Sequence, residues 1–271
     1  MTKFCFASDL HLEFGDLTIN NTQNADCLIL AGDVVEFSHL LPKPDLSYNR
    51  YDEFFSHISR EFKQVIWVAG NHEYYGSSLH KGPAIARNYL KRMGFGNIKL
   101  VNNDVVDVCG VPVICSTLWT SFNNADPIVM DTAERRMNDY NYIQTRFGDI
   151  DIMLRAQDVL EEHRIALETV SRLVDSKPCV VVTHHAPTLL CGDRGHSDAT
   201  LDYAYMSDLS EFILDRPSIK YWIYGHTHSR KEIPVGETIV MSNCRGYARY
   251  EKMSATFEPK FFTVEGEVEN V

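Results

Sequence analysis

The chain has 271 residues, 44% of them hydrophobic, enough for one large domain over residues 1–271 with a sizeable core. A formal net charge of −11 argues against strong binding to nucleic acid or to anionic membranes. No apolar run approaches the ~20 residues of a membrane span, residues 1–12 lack a signal-peptide pattern, and seven cysteines without a C-x-x-C pair point to a reducing, cytoplasmic setting.

In chain order, Lys3–Ala7 reads as a buried strand and leads into Asp9-Leu10-His11. Cys27–Ala31 is a second such run and leads into Gly32-Asp33. A helical pattern near 52–62 precedes Val65–Ala69, which leads into Gly70-Asn71-His72-Glu73. Another helical pattern lies near 78–92. Asn97–Ser116 reads as strands, with a hairpin turning at Cys109-Gly110. Trp119–Ile150 is polar and irregular, with a short helical stretch near Asp131–Met137. Long insertions of this kind are functional or solvated. We read it as a lid, with Arg135, Arg136, Asn138, Tyr140 and Arg146 as candidate substrate contacts; a solvated surface loop is the competing reading.

Ile152–Val174 has the clearest 3.6-residue apolar period, with Asp149 or Asp151 as its expected cap and His163 as a satisfied core histidine. Cys179–Val182 leads into Thr183-His184-His185, and Ala186–Tyr205 is a second candidate wall carrying Arg194 and His196. Tyr221–Tyr224 leads into Gly225-His226-Thr227-His228, and further strands are expected near 238–242 and 258–264.

Aspartate, histidine and asparagine thus recur where strands end, which is where active sites of open α/β sheets collect. The i, i+2 spacing in two strings would aim both side chains one way from an extended backbone. Carboxylate, imidazole and amide oxygen without thiolate suit Mn, Fe, Zn, Ni or Mg ions rather than a closed structural zinc site. Two divalent cations ~4 Å apart, sharing an anionic ligand and an open position, need these residue types.

At these residues the chain resembles the calcineurin-like metallophosphoesterase superfamily, whose blocks D-x-H, G-D, G-N-H-E/D, a lone His after a strand, and G-H-x-H all appear in order between residues 9 and 228. Ser242-Asn243-Cys244-Arg245-Gly246-Tyr247 resembles an N-P-R-G-Y string of a bacterial and phage branch, with Cys244 in place of Pro. The resemblance implies a four-layer α-β-β-α sandwich of two mixed sheets. It also implies one metal on Asp9, His11 and His228, a second on Asn71, His184 and His226, and Asp33 bridging them. Mn²⁺ is the expected ion. A metal-bridging water or hydroxide would be the nucleophile, and His72 would act as general acid or stabilise charge at the leaving group. His185 is expected beside the metals or the phosphate, and Glu73 as a local hydrogen-bonding residue.

In the Ser/Thr protein phosphatase branch the second block is G-D-x-V-D-R-G, whose Arg helps hold phosphate. Here Phe37 takes that place and Glu36 is the candidate acidic partner of His72. Arg245 or the lid would then supply the phosphate-binding cation. The expected activity is hydrolysis of small or medium phosphoesters, a phosphodiesterase with phosphomonoesterase side activity. A metal-dependent nuclease and a catalytically inactive scaffold are the alternatives.

Overall fold

In the computed structural model, which describes residues 1–42, 49–192 and 199–265, the apolar runs become strands of two facing sheets. Arg194 and His196 lie outside the described residues. The first sheet is built from β1 (Thr2–Ala7), β2 (Cys27–Ala31), β3 (Gln64–Val68) and β5 (Ile98–Leu100), all parallel. The antiparallel β14 (Lys260–Val264) closes one edge beside β1. A two-residue β4 (Ser77–Ser78) belongs to a small separate sheet.

The second sheet holds β7 (Val111–Ser116), β10 (Cys179–Thr183), β11 (Ile219–Tyr224) and β13 (Thr238–Ser242) in parallel. Antiparallel β6 (Asp104–Val108) and β12 (Glu232–Val235) form its edges. The β6–β7 hairpin turns at Cys109-Gly110 as expected, with both residues at positive φ, the backbone a twisted two-residue turn requires.

Alternation along each strand builds the layers. Phe4, Phe6, Cys27, Ile29, Ile66 and Val68 face Val113, Cys115, Val180, Val182 and Ile223 across the gap between the sheets. The opposite faces carry helices. Cys5, Leu28, Leu30, Val65 and Trp67 pack with Phe55 and Ile58 of helix Asp52–Glu61 and Tyr89 and Leu90 of helix Gly82–Met93. Ile114, Val181, Trp222 and Val240 pack with Ala166 and Val170 of helix Ala156–Leu173 and Ile213 of helix Ser210–Leu214. This is the expected α-β-β-α sandwich. Among the described residues, no helix is long and apolar enough to cross a membrane.

Two local expectations are corrected. The long helix starts at Ala156, not Ile152, because Ile150–Met153 is a strand, β9, paired antiparallel with β8 (Ile143–Phe147). Its first turn is held by Asp158, whose carboxylate accepts the Arg155 N–H at 2.9 Å, and by Glu134, which accepts the Ala156 N–H at 2.8 Å. Asp149 instead pairs with Arg146, and Asp151 with Lys81 and His80.

The 119–150 segment is also more ordered than its polarity suggests. It contains helix Pro127–Arg136, capped by Asp126, and β8 pairs with β4. Trp119, Phe122, Val129, Ala133, Met137, Tyr140 and Ile143 are buried in the same core as Trp67 and Phe55. The segment is therefore packed from Trp119 to Ile143, while the hairpin that follows to Ile150 is largely exposed to solvent.

Candidate metal centre

The parallel strands deliver their chemistry at their C-terminal ends. β1 runs into Asp9 and His11, β2 into Asp33, β3 into Asn71, β10 into His184 and β11 into His226 and His228. The backbone there is not extended, as the i, i+2 argument assumed. Asp9, His11, Asp33, His226 and His228 all have positive φ, between 43° and 67°. Non-glycine residues seldom adopt this region, and such strain collects at functional sites. β1, β2 and β11 thus end in left-handed reversals that aim these side chains across the sheet edge, whereas Asn71 after β3 has a φ of −72°.

The glycines of the motifs make room for this convergence. A Cβ on Gly32, whose φ is +88°, would penetrate the His184 ring. A Cβ on Gly70 would collide with Asp33 Oδ1 and lie 2.7 Å from His184 Nε2.

Two sets of hydrogen-bond acceptors converge. In the first, His11 Nδ1 lies 3.1 Å from a Glu13 carboxylate oxygen and His228 Nδ1 lies 2.7 Å from one of Glu251. A carboxylate only accepts, so both Nδ1 atoms carry the proton. The Nε2 lone pairs of His11 and His228 then face each other at 3.1 Å, with Asp9 Oδ1 3.7 Å from His228 Nε2. In the second set, His184 Nδ1 donates to the Ala31 carbonyl at 3.0 Å. Its Nε2 lone pair faces Asn71 Oδ1 at 3.1 Å and Asp33 Oδ1 at 3.3 Å. Asp33 joins the sets, since its Oδ2 lies 3.7 Å from His11 Nε2. Lone pairs this close need positive charge between them. Asp9 Oδ2 and His226 Nε2 are moreover buried without a hydrogen-bond partner. Asp9, His11 and His228 form one candidate metal-binding group, and Asp33, His184 and His226 another. Their oxygen and imidazole donors fit divalent cations.

Electrostatics agree. Burial lowers the His184 pKa, but the charge of Asp33 and a hydrogen bond from a protonated Nε2 outweigh this and push it up to about 10, so in the metal-free chain a proton fills the place between the two groups that a cation would take. Burial would raise that of Asp33, yet His184, His72 and His11 hold it well below the usual carboxylate range. The anionic pocket thus demands cations. Burial keeps His226 and His185 neutral, well below the usual histidine value.

Outer contacts fix these candidate ligands, as in metal sites generally. Glu73 is fully buried and accepts N–H bonds from Asp33, Gly70 and Val34 at 2.7–2.8 Å and from Trp67 Nε1 at 3.0 Å. It is the local hydrogen-bonding residue expected. Burial, then the charge of Asp33, push its carboxyl up to about 7, against the pull of its donors. Sequence reasoning missed Glu13, Glu251 and Asp139 as partners of His11, His228 and Asn71. Glu13 had the i+2 spacing from His11 as a signal; the other two had none.

The acceptors open into a cleft of about 150 Å³ lined by Asp33, Asn71, His72, His226 and His228 on the metal side. Tyr75, Tyr205, Tyr247, Arg136, Asn138 and Asp139 line the other walls. His72 stacks on Tyr75, with ring centroids 4.2 Å apart, and its Nε2 lies 3.4 Å from Tyr247 Oη. Burial lowers its pKa to about 4. His185 is buried behind His226, centroids 4.1 Å apart, with its Nδ1 3.3 Å from the Thr117 carbonyl. His163 is buried against the Leu118 carbonyl, a satisfied core histidine.

The remaining candidates separate. Of the three lid arginines, Arg136 lines the cleft, with Asn138 beside it. Arg135 pairs with Asp131 and Arg146 with Asp149, both on exposed surface. Tyr140 is buried in the core rather than offered to substrate. Arg245 is not a phosphate-binding cation: it is buried, and its guanidinium donates to the carbonyls of Leu10, Gly15 and Asp16 at 2.8–2.9 Å. It ties the β1 loop to the chain's C-terminal part. Glu36 lies 3.4 Å from His39 and is not the acidic partner of His72.

The family model for calcineurin-like phosphoesterases matches residues 2–230. An uncharacterised protein of Acanthamoeba polyphaga mimivirus is 28% identical over 259 residues, 90% of each chain. The crystal structure of a phosphopantetheinyl hydrolase from Mycobacterium tuberculosis shares the fold, with a TM-score of 0.66 at 17% identity over 92% of this chain and 90% of that one. A dimetal phosphatase from Danio rerio aligns at a TM-score of 0.49 and 12% identity, over 89% of this chain and 87% of its own. With the match spanning all five strand ends that carry the candidate ligands, this chain belongs to the calcineurin-like phosphoesterases and is a metal-dependent phosphoester hydrolase.

Proposed function

We propose that the protein is a dinuclear phosphodiesterase with phosphomonoesterase side activity, working with Mn²⁺ on small or medium phosphoesters. Asp9, His11 and His228 would hold one ion and Asn71, His184 and His226 the other, with Asp33 shared between them. The observation that carries this reading is the pair of acceptor clusters joined by the two oxygens of Asp33. When bound, the ions supply an acidified water and neutralise phosphoryl charge.

The chain's own residues do the rest. Glu73 holds the Asp33 backbone so that both its carboxylate oxygens stay in place. His72, neutral near pH 7, offers an N–H to the leaving-group oxygen. Arg136, Asn138 and Tyr205 contact the ester arm beyond the phosphate. Among the described residues Arg136 is the one arginine lining the cleft, and a diester monoanion needs less charge compensation than a monoester dianion. The cleft's small volume and the net charge of −11 favour small substrates over a nuclease reading. The complete acceptor set disfavours an inactive scaffold. Seven cysteines without a disulfide support a reducing compartment such as the cytoplasm.

Metal analysis combined with hydrolysis of bis(p-nitrophenyl) phosphate and p-nitrophenyl phosphate in Mn²⁺ tests the proposal. Both esters should be cleaved, the diester with the higher kcat/KM, and chelation should abolish both. Single-stranded DNA and RNA cleaved with far higher efficiency would establish the nuclease alternative. Full metal occupancy with no hydrolysis of any ester would establish the scaffold.

A further inference from the structure

Asp139 sits in the 119–150 segment, far in sequence from every motif, yet it is buried against the metal centre. Its Oδ1 accepts two hydrogen bonds, from Asn71 Nδ2 at 2.8 Å and from Tyr75 Oη at 2.7 Å. Tyr75 is the ring on which His72 stacks. One carboxylate oxygen from the insertion therefore touches both a ligand and the support of the leaving-group histidine.

The consequence for Asn71 is chemical. An amide's two ends are almost equal in size, so packing alone does not choose between them. Asp139 as carboxylate only accepts, so it selects the orientation with Nδ2 outward and Oδ1 toward His184 Nε2. Without that acceptor the amide is free to turn over. Turned over, its N–H₂ donates to the His184 Nε2 lone pair. That bond consumes two ligand atoms at once and leaves one side of the centre without its amide oxygen.

We propose that Asp139 is a positioning residue through which the 119–150 insertion holds the Asn71 carbonyl toward one ion of the pair. This rests on Asn71 being a ligand, as in the function proposed above. The role makes the insertion part of the metal centre as well as a wall of the cleft. It also separates the two ions, because His11, His228 and Asp9 have their own partners and do not touch Asp139.

Calorimetric titration of the metal-stripped full chain with Mn²⁺ tests this, with melting in EDTA as the check on folding. Wild type should take up two ions. Asp139→Ala should weaken one binding event ~10–100-fold, the usual effect of removing a ligand's outer partner, and leave the other within about twofold. Asp139→Asn keeps the Oδ1 acceptor and should bind both ions within about threefold of wild type. Asn71→Ala should weaken the same event, and adding Asp139→Ala to it should weaken it no further, since the two act in series. Should Asp139→Ala not fold, Asp139→Ser replaces it, its shorter side chain leaving Asn71 without an acceptor. Uptake of fewer than two ions by wild type would refute the metal-centre reading itself. Two ions in wild type with unchanged binding, equal weakening of both events, or a further loss in the double variant would overturn the role of Asp139 alone.

Discussion

Replacing Glu73 by glutamine changes one atom and leaves the shape of the side chain intact, so it isolates the hydrogen-bond account of the β2 and β3 ends. In the native protein one oxygen of Glu73 accepts from Asp33 N and Gly70 N, and the other from Val34 N and Trp67 Nε1. Every contact is a donor. A glutamine oxygen can serve one of these pairs, but its amide nitrogen must then face the other pair, donor against donor. Either orientation leaves two buried N–H groups unsatisfied. At ~1–3 kcal/mol for each, the loss is about 2–6 kcal/mol. For a chain of this size 1 kcal/mol moves Tm by about 2 °C, so Glu73→Gln should melt about 4–12 °C lower. The assay is thermal unfolding followed by circular dichroism in EDTA, which keeps metal linkage out of the comparison. Glu73→Gln melting within about 1 °C of wild type would refute the claim that a four-fold accepting Glu73 fixes these loops.

Other consequences are open to simpler assays. His72→Ala should keep its fold and metal but lose ~10²–10⁴ in turnover, with a smaller loss on esters whose leaving groups are good. An equal loss on good and poor leaving groups would show that His72 only positions phosphate. Arg136→Ala should raise KM for a substrate with an extended ester arm and leave a minimal chromogenic ester nearly unchanged, while Arg135→Ala and Arg146→Ala should alter neither; indistinguishable KM values for all three would remove Arg136 as a contact. Gly70→Ala should abolish Mn²⁺ uptake, because its Cβ enters the space of Asp33 Oδ1 and His184 Nε2. Retained uptake of both ions would mean that these side chains are not held where the structure has them. Arg245→Ala should lower Tm without a selective change in KM, since its guanidinium serves three backbone carbonyls rather than the cleft. A raised KM at unchanged Tm would restore it as a phosphate contact.

The candidate ligands were legible because two independent patterns coincide: short apolar runs that can only be buried strands, and metal-loving residues directly after them. Strand ends are fixed points of an α/β sheet, so this coincidence places residues in space as well as in sequence. The fold followed from the same runs, down to the hairpin at Cys109-Gly110. What was hidden has physical reasons. The left-handed conformations of Asp9, His11 and Asp33 are imposed by tertiary convergence, and no local propensity announces them. Asp139 is one aspartate in a polar segment, and its meaning exists only once helix Pro127–Arg136 packs against helices Ala156–Leu173 and Ala199–Tyr205 and the chain after it reaches Asn71. Arg245 was misread because an arginine beside a motif looks the same whether it meets a phosphate or three carbonyls. The β8–β9 hairpin left a visible trace, the turn-forming Gly148-Asp149 between alternating segments, which the helical period of the following residues obscured.

The central claim is that Asp33 bridges two cations held by separate ligand sets. Anomalous scattering from a crystal of the full chain grown in Mn²⁺, with data recorded on both sides of the manganese edge, measures this directly. The account predicts two manganese peaks, one against Asp9, His11 and His228 and one against Asn71, His184 and His226, each contacting a different oxygen of Asp33. A single peak, a pair in which Asp33 touches only one ion, or manganese bound elsewhere on the chain would contradict it.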